Sequence, residues 1–188
     1  MSIRNELLED ILSAIKGESP SGGVSTVLID EASLVAQKPT GLDTPLVLTW
    51  GNGADVITDD AILRTDGTLE LLSSKVYGVL FDLQYGRTGA SGQSKIWFTS
   101  RLSFGGAPFV YVPYSIVEYI ENVNDVKSLN RLVNFEVDEN IAPLPWIVEL
   151  QVIRDSSGNH SGGVLPQTSS LAGVPDAPSA RVIINVYE

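Results

Sequence analysis

The sequence predicts an all-β antiparallel sandwich, and three observations carry that prediction. From residue 46 to the end, short apolar stretches with a period of two follow one another. Glycine, proline, asparagine and aspartate punctuate them at turn-like intervals, and helical periodicity is confined to the first seventeen residues. A chain of 188 residues, 43% of them hydrophobic, has material for one domain with a real core plus appendages. The expected organisation is a helix over 1–17, a tether and extended arm over 18–44, and the β domain over 45–188.

The helix is read from "MSIRNELLEDILSAIKG". Ile3, Leu7, Leu8, Ile11, Leu12 and Ile15 recur at three- and four-residue spacing on one side. Ser2 or Asn5 suits the cap, acids crowd the first half, Lys16 sits in the last turn and Gly17 ends it. About four turns are marginal alone in water, so the stripe needs a partner. Docking on its own domain, bundling with symmetry mates and anchoring on another protein are the three ways to supply one. Leu7, Leu8, Ile11 and Ile15 are the candidate anchor residues, because "GESPSGG" behind them has the composition of a flexible tether. "VSTVLI" suits a short strand, and the following arm turns at Pro39-Thr40-Gly41 and again at Asp43-Thr44-Pro45.

The body begins with "LVLTW", closed by Gly51, Asn52 and Gly53, and continues with a hairpin, "AILRTDGTLELL", around Asp66 and Gly67. In the next stretch Tyr77, Val79, Phe81, Leu83 and Tyr85 share one face, opposite Leu80, Asp82 and Gln84. A Gly-Ser linker joins it to "SKIWF", and the two arms are expected to pair as a hairpin. "APFVYVPYSIVEYI", a polar stretch over 122–130, "RLVNFEV" and "WIVELQVIRD" follow. A long Ser-, Gly- and Pro-rich loop over 156–179 precedes the final "ARVIINVYE".

Two of these strands depart from the alternation that a half-wet sheet requires. Residues 109–120 are apolar at both parities, with Pro113 marking an edge or bulge. In the last strand Val182, Ile184 and Val186 oppose Ile183 and Tyr187. A strand greasy on both faces wants cover on both, and a second copy of the chain is the expected source, with the N-terminal arm in cis as the competitor. The candidate interface residues are therefore Val182, Ile183, Ile184, Val186 and Tyr187, with Tyr111 and Tyr114.

Chemistry is sparse. The net charge of −11, with scattered basic residues, speaks against nucleic acid. Without cysteine there are neither disulfides nor thiolate metal sites, which fits a reducing cytoplasm. The apolar runs are strand-length, so no membrane span is expected, and the first fifteen residues are too acidic for a signal peptide. His160, the sole histidine, has Asp155, Ser156 and Ser161 nearby, but a Gly-Ser loop does not hold a triad rigid. Asp55, Asp59, Asp60 and Asp66 offer oxygen ligands for calcium without the spacing of an EF-hand loop. Trp97, Tyr111, Tyr114, Tyr119 and Trp146 suit sugar stacking, though aromatics on strands more often belong to a core or an interface. The expectation is a non-enzymatic protein without cofactor or catalytic residues, whose work is contact.

"QKPTGLDTPLVLTWG", "TDGTLELLSSKVYGVLFDLQYGRTGASGQSKIWF" and "RDSSGNHSGGVLPQTSSLAGVPDAPSARVIINVY" resemble a set of tailed-bacteriophage virion proteins. Those proteins carry a jelly roll similar to that of tumour necrosis factor and the globular heads of complement. The resemblance covers residues 36–188. It implies a homotrimer with the C-terminal strand near the threefold axis, found on the virion and assembled in the host cytoplasm. The partner it implies is the major capsid protein or another virion protein, which the trimer would decorate or cement. The alternative is the trimeric head of a tail or head fibre that recognises a host surface glycan or receptor. A fibre shaft is missing between residues 17 and 46, which favours the cement reading. A jelly-roll enzyme of the cupin type would need several histidines around a metal, and this chain has one.

Overall fold

A computed structural model describes residues 15–16, 25–51, 53–89, 92–112, 115–156 and 161–187. Among the described residues, fourteen strands make two sheets, and every strand pair is antiparallel. The first sheet holds β1 (Ile15–Lys16), β2 (Ser25–Ser33), β7 (Val76–Gly86), β11 (Val126–Glu136), β13 (Gly163–Val164) and β14 (Ala180–Tyr187). The second holds β3 (Leu46–Val47), β4 (Val56–Ile57), β5 (Ala61–Leu63), β6 (Leu69–Leu71), β8 (Ser94–Phe104), β9 (Val110–Tyr111), β10 (Ile116–Ile120) and β12 (Trp146–Arg154). The first runs β1-β11-β7-β14-β2, with β13 also on β7; the second runs β10-β8-β12-β6-β5-β4, with β3 on β12 and β9 on β8. The chain is an all-β antiparallel sandwich.

The alternation read along residues 77–85 is the reason β7 sits in the middle. Tyr77, Val79, Phe81, Leu83 and Tyr85 are all buried, and Val182, Ile184 and Val186 stand beside them on β14. Opposite lie Ile96, Phe98 and Leu102 of β8 and Trp146, Val148, Leu150 and Val152 of β12, also buried. Edge-to-face ring contacts lock this interior: Tyr85 against Phe98 at 5.6 Å and Phe104 against Trp146 at 5.0 Å. Tyr85 also ties the two sheets together, its hydroxyl donating to Glu118 Oε2 of β10 at 2.7 Å.

Four expectations about elements change. The arms around residues 86–94 do not form a hairpin: β7 pairs with β11, β13 and β14, while β8 pairs with β9, β10 and β12. Glycine and serine in the linker let the chain turn, and here it turns across the roughly 10 Å between packed sheets. The expected arm contributes β2, an edge strand matched to β14 from Ala180–Ser33 to Tyr187–Ser25, so the sandwich begins well before residue 45. β11 starts at Val126, inside the stretch read as polar, because Ser128 and Asn130 face outward on a strand whose other side is covered. Finally, Ile15 and Lys16 form a strand against Phe135 and Asn134 rather than the last turn of a helix. The free edge of β11 offers backbone groups that a β-branched isoleucine can pair with. The rest of the helix, including Leu7, Leu8 and Ile11, lies outside the described residues. The Asp66–Gly67 hairpin holds: Arg64 N–H donates to Thr68 O at 2.8 Å, and Gly67 takes the positive φ of 91°.

Candidate functional site

The last strand divides its apolar residues between two surfaces. Val182, Ile184 and Val186 are 1%, 0% and 2% exposed, so the subunit's own second sheet covers them. Ile183 and Tyr187 point out of the first sheet and are half-buried. Cross-strand register sets Ile183 beside Leu80 of β7, and Leu80 beside Leu132 of β11. The result is an apolar row across three strands, with Leu132 38% exposed at its end. Next to it Tyr187 lies flat over Gly78: a Cβ there would meet the Tyr187 hydroxyl at 2.8 Å and its Cε2 at 2.9 Å. Gly78 therefore has a packing reason, as the seat of the tyrosine ring. A polar row borders the strip, where Arg181 clasps Asp30 through Nε–Oδ1 at 2.7 Å and Nη2–Oδ2 at 2.6 Å. That guanidinium holds the Asp30 carboxyl below the usual aspartate value of 3.8.

The outward face of the second sheet is different in kind. Arg101 Nε donates to Glu149 Oε2 at 2.5 Å, and the guanidinium sits 4.3 Å over the Phe109 ring. Ser115 Oγ donates to Thr99 Oγ1 at 2.8 Å, and the Tyr111 hydroxyl approaches Gln151 Oε1 at 3.4 Å. Trp97 Nε1 donates to Asp155 Oδ2 at 2.6 Å, while Lys95 Nζ pairs with the same oxygen at 2.8 Å and stands 5.3 Å from the Trp97 ring. Hydrogen bonding to that carboxylate raises the Lys95 pKa. Tyr111 and Tyr119 are 56% and 42% exposed above this network. Side chains so held lose little further freedom on meeting a flat polar ligand, so the face suits one.

The residues that the sequence grouped thus scatter. Ile183 and Tyr187 share the outer face of the first sheet, whereas Tyr111 stands on the outer face of the second. Trp97, Tyr111 and Tyr119 of the candidate stacking set come to one face, and Trp146 is fully buried in the core. Tyr114 and His160 lie outside the described residues. Asp55 is taken by Arg64 at 3.0 Å and by the Thr65 amide at 2.8 Å. Asp60 is taken by Lys75 at 2.8 Å and Ser73 at 2.7 Å, and the ammonium holds its carboxyl below 3.8. Among the described residues, no three of His, Cys, Asp and Glu stand close enough to hold a metal ion. Sequence reasoning missed Arg87, which is almost fully buried; no periodicity or motif marks a lone arginine after a strand.

No protein-family model matches the chain, and no curated protein matches it. Among solved structures it is similar to the CBM22-1 xylan-binding domain of Xyn10C from Paenibacillus barcinonensis. That similarity covers 89% of this chain and 99% of that one, at 8% identity and a TM-score of 0.37. The sandwich architecture rests on the strand pairing described above.

Proposed function

We propose that the protein is a non-enzymatic structural component of a bacteriophage virion, a homotrimer that decorates or cements the capsid surface. The observation that carries this reading is the outward row Leu132–Leu80–Ile183 with Tyr187 beside it, an apolar strip on an otherwise paired sheet. A second and third copy of the chain would cover it. The strand order supports a jelly roll of the tumour necrosis factor type: β2-β14-β7-β11 faces β6-β12-β8-β10, and most successive long strands change sheet. The resemblance of residues 36–188 to virion proteins supplies the setting. In this reading the trimer presents three copies of the residue 1–23 segment to the shell, and linking the three raises avidity without new chemistry. The test is sedimentation of the full chain, followed by binding of full-length and residue 24–188 protein to empty capsids. A trimer that loses capsid binding on truncation is expected; a stable micromolar monomer would overturn the reading.

The second reading, a fibre head that recognises a surface glycan, has its own support in the second sheet. Trp97, Tyr111 and Tyr119 stand with Arg101, Glu149 and Gln151 on one face. Glycan-array binding that disappears in Tyr111→Ala would favour it over the cement role.

A further inference from the structure

A cleft of about 390 Å³ opens where β7 leaves the first sheet, and its walls come from four separate segments. They are the arm at Lys38, the β7 exit at Arg87 and Thr88, the turn at Asn124, and the loop at Gln167 and Thr168. Asn124 takes the left-handed conformation, φ 68°, and its amide donates to the Arg87 carbonyl at 2.9 Å, which holds that turn against the arginine. Arg87 itself is 2% exposed. Its Nη2 donates to the Glu121 carbonyl, while Nε and Nη1 have no hydrogen-bond partner among the described residues. Lys38 is exposed and donates from Nζ to Thr88 Oγ1 at 2.9 Å, a neutral acceptor. Neither cation forms an ion pair among the described residues, and no carboxylate lines the cleft.

That combination is unusual in a chain of net charge −11. A guanidinium removed from water with two donors unpaired is costly, and proteins ordinarily neutralise such a group. Here the fold spends that energy beside an opening of the size that small-molecule sites occupy. We infer that the cleft binds a small carboxylate-bearing ligand of monosaccharide size, an acidic sugar being the fit. Lys38 Nζ makes the direct contact and can exchange Thr88 for the carboxylate. Arg87, shielded from solvent, supplies an uncompensated charge in a low-dielectric wall, where a field is screened little. Thr88, Asn124, Gln167 and Thr168 supply the hydroxyl and amide groups that hold sugar hydroxyls.

The experiment is a ¹⁵N NMR titration of the full chain with D-glucuronate, with D-glucose as the uncharged counterpart and sodium sulfate as competitor. The expected result is saturable shifts at Lys38, Thr88, Asn124 and Gln167 with glucuronate, none with glucose, and displacement by sulfate. Lys38→Gln, an exposed change that leaves the fold alone, should weaken binding roughly tenfold, the size of one charge-assisted hydrogen bond, and Arg87→Gln should weaken it by less, since the guanidinium acts through its field and not by contact. Equal shifts with glucose, no saturable response to glucuronate, or unchanged affinity in Lys38→Gln would overturn the assignment.

Discussion

The two outward faces of this sandwich are built from the same material and solve opposite problems. On the second sheet polar side chains pair with one another: Arg101 with Glu149, Thr99 with Ser115, Trp97 and Lys95 with Asp155. On the first, Leu132, Leu80 and Ile183 line up across three strands, and the row ends at Asp30 of β2, which stands beside Ile183 and pairs with Arg181. A face that satisfies itself needs nothing further from a partner except recognition. A face that leaves a row of leucine and isoleucine in water gains free energy when anything apolar covers it. The contrast is therefore between a surface of paired polar side chains and a surface with an uncovered apolar row.

The sharpest way to break that contrast is to put a charge in the row. Ile183→Asp should convert the proposed trimer to monomer, seen by sedimentation, because a partner would have to desolvate an added carboxylate. The isolated subunit should keep its fold, since the side chain faces outward. If the variant assembles normally, the first sheet is not the buried face.

One position along the same strand, the effect moves from assembly to stability. Ile184→Ala should cost about 2–5 kcal/mol in denaturant melts, because its side chain is 0% exposed in the interior. Ile183→Ala in the monomer should cost under about 1 kcal/mol. Equal costs would mean that the two faces of β14 are not distinct. On the second sheet Arg101→Ala leaves Glu149, 7% exposed, without its cation. About 1–3 kcal/mol of destabilisation is expected, with no change of assembly state.

Much of this division was legible in the sequence, and the limits of legibility have a physical pattern. The period-two pattern of Tyr77 to Tyr85 and the opposition of Val182, Ile184 and Val186 to Ile183 and Tyr187 separated the two faces of each strand, because side-chain direction along a strand is local; which parity of the last strand lies in the core was not legible, and all five of its residues were expected at an interface. The partner of each strand is not local. The Gly-Ser linker after β7 reads the same whether the chain returns to its own sheet or crosses to the other, so the supposed hairpin was in fact a crossover. "VSTVLI" reads as a short strand, but its extension to Ser33 and its place at the sheet edge hid because an exposed edge tolerates Asp30 and Glu31, which end the apolar signal. The two outward faces were harder still. Tyr111 and Ile183 look alike as surplus apolar residues in sequence, and only pairing assigns one to each sheet. Arg87 carried no signal because burial of a single cation depends wholly on what the fold brings around it.

The smallest effect tests the margin of the apolar strip. Arg181 lowers the Asp30 pKa in the folded chain from its ordinary 3.8. A depressed carboxylate contributes stability that is complete above its unfolded value and is lost as pH falls through its folded value, so the loss falls below about pH 4. Because both partners are close to half exposed, at 42% and 43%, the pair should contribute under about 1 kcal/mol in the subunit. Asp30→Asn should therefore lower the melting temperature slightly at pH 7 and leave it unchanged at pH 2. Salt separates the two states of the face. In a background made monomeric by Leu132→Asp, three strands away from Asp30, 0.5 M sodium chloride should erase the Asp30→Asn difference, since an exposed pair is screened. In the proposed trimer a partner that covers the neighbouring row would keep water and ions from the pair, and the difference should survive the salt. Erasure in both backgrounds would place Asp30 and Arg181 in open solvent and move the buried boundary inward, toward Leu80 and Leu132.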